Sequence, residues 1–376
     1  MRKLVVALGC VALLSAGTAQ ASSTVAVYGD APYGPDAFAG TPSFIQNINA
    51  DPDVSLVMHV GDIHSGSQQC TESYDQSVFD MWTAFVDPLV YVPGDNEWSD
   101  CHKVKEFGGK YNSSTGQVDY LTDPGTGLLA YEGGNPVKNL ALVRSMFFPT
   151  PGESLGQHPI AVVSQAQTAQ RGNTTDKNYV ENVMWEKSDT LFFTLNIPGG
   201  SNNDADNWYG SPNASAEQLA EIQQRNAADL HWINTAFAQA ARDHVGAIVI
   251  QSQADMWDIE DTVAGHQANY EPFISKIAEK TASFGKPVLT FEGDSHKYRS
   301  DNPLVEGSAC SGEPATDCSL DPWTHHPYYD IPNFHRVIVH GSTLPLEWLK
   351  LTITPGTNNP TTGTSFGPFS WSRVTP

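Results

Sequence analysis

Positive charge is what this sequence has least of. Its 376 residues carry 20 Lys and Arg against 42 Asp and Glu, a net charge of −22 at pH 7. A surface so acidic repels nucleic acid and anionic lipid and attracts cations, so neither polyanion is expected as a partner. The acids are scattered rather than grouped in blocks, and solubility accounts for most of them. Long apolar runs are missing after the first 21 residues, and with them any further segment able to span a bilayer. Cysteine is scarce: there are five, one of them Cys10 near the start. No C-x-x-C occurs, which ranks a zinc–thiolate site below disulfides. There is no Walker loop and no coiled-coil repeat.

Residues 1–21 read as a secretory leader, with Arg2 and Lys3, an apolar stretch at 4–14 and Ala19-Gln20-Ala21 as the cleavage site. A lipoprotein signal ending at Cys10 would be very short. The mature chain is therefore expected to be secreted or periplasmic. Losing Arg2 and Lys3 leaves 18 basic against 42 acidic residues and moves the net charge from −22 to −24. Cys70, Cys101, Cys310 and Cys318 remain, and an even number in an exported chain points to disulfides with three possible pairings. Cys70 with Cys101 and Cys310 with Cys318 is the favoured pairing. The first would tie together the loops that follow 61–66 and 94–98, and the second would close a short surface loop.

Apolar runs at 25–28, 54–60, 89–92, 247–250 and 288–291 read as buried strands. Helical spacing of apolar residues falls at 37–49, 74–85, 139–147, from Ser215 to about 241, and 273–284, the last stopped by Gly285 and Pro287. Ser215 with Gln218 forms a capping box. Residues 178–186 and 190–196 read as a hairpin, 336–340 and 347–354 as paired strands, and 369–374 as a last strand. Residues 22–376 are expected to form a single domain. The stretch 103–164, rich in Gly, Asn, Ser and Pro, is expected as a loop-rich insertion covering the site.

Four of the strands stop in Gly-Asp: YGD at Asp30, VGD at Asp62, PGD at Asp95 and EGD at Asp294, with His296 two residues later. Parallel strands present their C-terminal ends together, so these carboxylates and the imidazole would gather at one sheet edge. Asp and His supply oxygen and nitrogen donors, which outlines a metal site. Glycine before each aspartate would let the backbone turn sharply and come close to an ion.

GDAPY at 29–33, GDIHSG at 61–66, PGDNEW at 93–98 and GDSH at 293–296 resemble, in order and spacing, the signature blocks of calcineurin-like metallophosphoesterases. The resemblance runs from about Val25 to about Ile353. It implies an α/β fold, a four-layer α/β/β/α sandwich of two mixed sheets flanked by helices. It also implies two divalent metal ions that activate a water for attack on phosphorus. By motif, Asp62 is the ligand shared between them, Asp30 and His296 belong to the first ion, and Asp95 and Asp294 to the second. The substrate expected is a small-molecule phosphate ester.

The chain departs from the family pattern at several places. Asp30-Ala31-Pro32 lacks the histidine of Asp-x-His, for which His64 or Tyr33 could stand in. Asp95 replaces an Asn ligand, and Asn96 stands where a histidine would protonate the leaving group. Gln253, or less readily Gln251, takes the place of a histidine after the strand at 247–250. The oxygen-rich second site points toward Mn²⁺, Mg²⁺ or Ca²⁺. His64 and His102 are candidate acids in place of Asn96. Arg299 is a candidate phosphate ligand, and Glu97 is expected to orient a neighbour. His59 reads as a satisfied core residue, His231 and His244 as helix surface and terminus, and His325-His326 as weak metal candidates. Together these residues describe an exported, metal-dependent phosphoesterase for mono- or diesters. The rival is a catalytically degenerate protein on the same scaffold that binds a ligand or partner.

Overall fold

Strands buried on both faces need a layer on each side, and this chain supplies four layers. A computed structural model describes residues 21–168, 176–203, 206–258, 267–325 and 327–376. The expected leader up to residue 20 and His326 lie outside the described residues.

The first sheet has the strand order Asn359–Thr362, Ser365–Gly367, Phe369–Val374, Trp348–Ile353, Ser23–Tyr28, Val54–His59, Leu89–Tyr91. Its last three strands run parallel, so their C-terminal ends share one edge. The second sheet runs Ser311–Gly312, Arg299–Asp301, Phe334–Ile338, Val288–Glu292, Ala247–Gln251, Thr190–Thr194, Val183–Lys187, Val163–Ser164. Its four central strands are parallel and the flanking pairs antiparallel, so both sheets are mixed.

Val25, Val27, Leu56 and Met58 of the first sheet meet Phe192, Val249, Leu289 and Phe291 of the second in one apolar layer. Helices Gly34–Ala50, Glu72–Trp82 and Pro136–Phe147 cover the outer face of the first sheet through Phe44, Ile48, Trp82 and Phe147. Helices Ala216–Asp243 and Glu271–Phe284 cover the second through Trp232, Ile233, Phe273 and Ile277. The architecture is the α/β/β/α sandwich.

Local chemistry sets the boundaries. Ser215 Oγ accepts from the Gln218 N–H at 3.0 Å and starts the long helix. The Gln218 side chain does not complete a capping box. It reaches into the preceding loop, accepting from Trp208 N–H and donating to Asp206 O. Gly285, at φ +66°, ends the helix at Phe284. Ser188 and Asp189, at φ 50° and 59°, close the hairpin between Lys187 and Thr190. Both disulfides, Cys70–Cys101 and Cys310–Cys318, are formed as favoured. Thiolate ligation of zinc is thereby removed as an alternative.

One strand pairing is corrected. Phe334–Ile338 lies parallel to Val288–Glu292 in the second sheet, whereas Trp348–Ile353 lies antiparallel to Ser23–Tyr28 in the first. A two-residue alternation says that one face is buried but not in which sheet. The link between them, with Gly341 and Pro345, crosses from one layer to the other instead of making a hairpin. The stretch 103–164 also holds more structure than its composition implies. It carries the hairpin Gly109–Asn112 with Gln117–Tyr120, and its helix Pro136–Phe147 belongs to the outer layer itself.

Trp232 is 1% exposed and sits at the centre of the layer under the long helix. Trp232→Ala is expected to cost about 3–5 kcal/mol through the cavity it leaves. Denaturant unfolding checks this, and a loss below about 1 kcal/mol would contradict the packing described.

Candidate metal centre

Carboxylates placed at the ends of buried strands cannot retreat into solvent. Asp30 is 0% exposed and Asp62 1%. One ligand atom from each, with one from His296, all lie within 4.8 Å of one another. The Asp294 N–H donates to Asp30 Oδ1 at 2.9 Å, so the loop bearing His296 is fastened to Asp30. His296 Nε2 is 3.6 Å from the same oxygen. Asp30 Oδ2 is buried with no hydrogen-bond partner, the state expected of an oxygen that faces a cation.

The expected reason for Gly-Asp is partly corrected. Three of the four glycines do not make the turn. Asp30, Asp62, Asp294 and His296 adopt positive φ themselves, at 47°, 60°, 70° and 61°. Such strain costs on the order of 1–3 kcal/mol per residue and persists where surroundings enforce it. The glycines serve the other part of the expectation, close approach. A Cβ on Gly94 would lie 1.9 Å from Asp62 Oδ1, and one on Gly293 2.6 Å from Asp30 Oδ2.

Around Asp62 the loops interlock. Tyr33 Oη donates to Asp62 Oδ2 at 2.9 Å, and Asn96 Nδ2 donates to the same oxygen at 2.8 Å and to Tyr33 Oη at 3.0 Å. Gln253 Nε2 donates to Asp62 Oδ2 at 3.2 Å and to Asp95 Oδ1 at 2.8 Å. Glu97 is fully buried, and its Oε1 accepts from the N–H groups of Gly94 and Asp62 and from Tyr91 Oη. It orients the Asp62 turn. Gln251 lies elsewhere, its amide donating across the sandwich to His59 O at 2.7 Å. His59 is satisfied on both ring nitrogens, by Ala31 O and Gly61 N–H.

Burial, followed by mutual repulsion, pushes the Asp62 and Asp294 carboxyls well above the usual range. Asp30 is raised mainly by burial, against the hydrogen bond from Asp294. Asp95 is pushed up to about 6 by burial and Asp100, opposed by Lys103 and Lys105.

Three sequence candidates fall outside this cluster. Arg299 donates to Asp301 Oδ2 at 2.6 Å and to the carbonyls of Asp317 and Leu320, so its guanidinium staples a loop rather than facing phosphate. His102 Nδ1 accepts from the Tyr209 N–H at 3.1 Å, its ring packs on Trp208 and Tyr209, and burial lowers its pKa to about 4. A group neutral at pH 7 is no general acid there. His64 is likewise buried and lowered to about 4, its ring edge-on to Tyr74. Of the two stand-ins for the missing histidine, Tyr33 is the one at the centre. Asn96, at the acid position, braces Asp62.

Lys103 was not singled out from sequence. Its Nζ pairs with Asp100 at 2.8 Å and Asp206 at 3.3 Å. The spacing of Asp100 and Lys103 hints at that pair, but nothing local places it near Asp95. Gly199 was also missed. A Cβ there would lie 2.5 Å from Asp294 Oδ1, so the turn at 199–203 presses against that carboxylate. The pentapeptide Gly152-Glu153-Ser154-Leu155-Gly156 matches the pattern of a serine-nucleophile elbow. It lies in an irregular connection, with Ser154 Oγ bonded to Leu155 O and Ile160 N–H, and no strand–turn–helix supports that chemistry.

The model of the calcineurin-like phosphoesterase family matches residues 23–233, more than half of the chain. The chain belongs to the calcineurin-like phosphoesterase family. The match spans Asp30, Asp62 and Asp95 and ends before Gln253, Asp294 and His296. A search of curated sequences found no match. Among solved structures, a purple acid phosphatase from yellow lupin (Lupinus luteus) seeds is similar at 12% identity and TM-score 0.40, over 95% of this chain and 54% of that one. This chain thus spans about half the lupin protein's length. GAP50, an anchor in the inner membrane complex of Plasmodium, is similar at 9% identity and TM-score 0.37, over 93% of this chain and 78% of that one. Family membership implies a dinuclear metal site, and Asp30, Asp62 and His296 fit a cation, as the orphaned Asp30 oxygen attests.

Raised carboxyls give a defined pH dependence. In metal-free protein their contribution to stability is full below about pH 4. It is lost as pH rises through about 6 for Asp95 and higher for Asp30, Asp62 and Asp294. The Tm of chelated protein should therefore fall as pH rises across this interval, and saturating Mn²⁺ should restore it most at the upper end. Equal Mn²⁺ stabilisation at about pH 4 and about pH 7 would refute this.

Gly341→Ala would place a Cβ 2.2 Å from Asp30 Cβ. It is expected to weaken Mn²⁺ affinity by at least about tenfold, measured by calorimetric titration. Unchanged affinity would show that Asp30 is not held where described.

Proposed function

We propose that this protein is an exported, metal-dependent phosphoesterase that hydrolyses phosphate mono- or diesters. The observation that carries the reading is the convergence of Asp30, Asp62 and His296 within 4.8 Å, with an Asp30 oxygen left unpartnered. Divalent cation held there would supply Lewis acidity toward a phosphoryl oxygen and lower the pKa of a water for attack on phosphorus. The chain's own part is placement. Asn96, Tyr33 and Gln253 fix the Asp62 carboxylate, Glu97 fixes the turn that presents it, and the Asp294 N–H fixes Asp30. Export is supported by the leader at residues 1–21 and by two disulfides, which form and persist in oxidising compartments. No helix among the described residues is long and apolar enough to cross a membrane.

One observation favours a second reading, a binding module on the same scaffold. The Asn96 amide is committed to Asp62 and Tyr33 and offers no proton of useful pKa to a leaving group. Turnover separates the readings. The purified mature protein should hydrolyse p-nitrophenyl or bis-p-nitrophenyl phosphate, lose activity in chelator and recover it with Mn²⁺, Mg²⁺, Ca²⁺ or Zn²⁺. The absence of metal-rescued turnover on either ester would leave the binding module.

A centre without an acid at residue 96 should depend strongly on the leaving group. Across a series of aryl phosphates, kcat/KM is expected to fall about tenfold or more between p-nitrophenol and phenol as leaving groups. Equal rates along the series would mean that another residue donates the proton.

A further inference from the structure

The two halves of the centre are built differently. On one side Asp30, Asp62 and His296 converge, and Asp30 Oδ2 is left without a protein partner. On the other side the gap between Asp62 and Asp95 is already bridged. Gln253 Nε2 reaches Asp62 Oδ2 at 3.2 Å and Asp95 Oδ1 at 2.8 Å. We propose that this centre holds one divalent cation, on Asp30, Asp62 and His296, and that the Gln253 amide and the Lys103 ammonium take the place of a second.

The amide's orientation is settled by its other end. The Gly199 N–H donates to Gln253 Oε1, so the NH₂ group is the one that faces the carboxylates. An amide NH₂ donates hydrogen bonds and offers no lone pair to a metal. Turning the amide over would set Oε1 against two carboxylates and NH₂ against a backbone N–H, three repulsive contacts in place of three favourable ones. The side chain has little room to withdraw. Gln253 is 0% exposed, and a Cβ on Gly61 would lie 2.6 Å from its Cβ.

Charge on this side comes from the protein. Lys103 Nζ pairs with Asp100, and Lys105 Nζ lies 3.3 Å from the same carboxylate. The Gly200 backbone runs between these groups. A Cβ there would lie 3.7 Å from Asp95 Oδ2 and 3.8 Å from Lys103 Nζ. A fixed ammonium therefore stands near Asp95, balancing charge that a dinuclear centre would give to its second ion. The residue before Gly200 allows this closeness. Gly199 brings its N–H to the amide while pressing on Asp294, and any side chain there would strike that carboxylate.

This inference rests on the metal-dependent reading, and metal counting tells the two apart. The full mature chain, loaded with Mn²⁺ and passed into metal-free buffer, should carry one ion per chain by elemental analysis. Its electron paramagnetic resonance spectrum should show the six lines of an isolated Mn²⁺. Two ions per chain, or the multiline spectrum of an exchange-coupled pair, would overturn the inference and leave the phosphoesterase reading standing. No ion at all would remove both. Gln253→His supplies a ring nitrogen in place of the amide and is expected to raise the count from one to two. A variant folded by circular dichroism that still holds one ion would overturn the role given to the amide. If that variant does not fold, the wild-type count and spectrum still decide.

Discussion

Like charges forced together at the rim of a sandwich are the constraint on which this structure turns. Asp30, Asp62, Asp95 and Asp294 arrive there because each ends a strand whose interior is apolar and whose direction the sheets dictate. Once the strands are packed, the carboxylates can neither spread apart nor reach bulk water, and their ionised forms repel. Everything nearby serves to offset that repulsion. Backbone N–H groups donate to Asp30 and Asp62, amides from Asn96 and Gln253 and the Tyr33 hydroxyl donate to Asp62, and Lys103 and Lys105 pair with Asp100 beside Asp95. Oδ2 of Asp30 stays buried without a hydrogen-bond partner, and a cation is the natural complement to it.

The same geometry explains why the loops are so firmly tied. The Cys70–Cys101 bridge joins the loop after Asp62 to the loop after Asp95, so two of the carboxylates share one covalent frame. Fully buried Arg225 of the long helix donates to Asn196 O and Asn202 O, holding the turn at 199–203 against Asp294 and Gln253. Left-handed backbone at Asp30, Asp62 and Asp294 is tolerated because these anchors over-determine it. A site strained this way is arranged before any ligand arrives, the preorganisation that the proposed phosphoester hydrolysis would require.

Two of the departures from the family pattern run the same way. Where a histidine acid would stand, Asn96 turns its amide inward to Asp62. Where a histidine ligand would follow the strand Ala247–Gln251, Gln253 turns its NH₂ inward to Asp62 and Asp95. Both substitutions exchange a titrating or ligating nitrogen for a neutral hydrogen-bond donor aimed at a carboxylate. At these two positions a neutral donor faces the carboxylates.

Much of the fold and the core of the site were legible in the linear chain. Apolar runs that stop in Gly-Asp mark both a buried strand and a carboxylate at its end, and this is local information. Helix limits at Ser215 and Gly285 follow from capping chemistry for the same reason. The partners that finish the site were not legible, because they are set by contacts between distant segments. Arg299 reads as a phosphate ligand until Asp301 and two carbonyls surround it, and Lys103 reads as loop until it pairs beside Asp95. Sequence alone determined which atoms could hold a cation, since donor chemistry belongs to the residue. Tertiary structure decided which of them face one another and which way the Gln253 amide points, since distance and direction between loops arise only when the two sheets close.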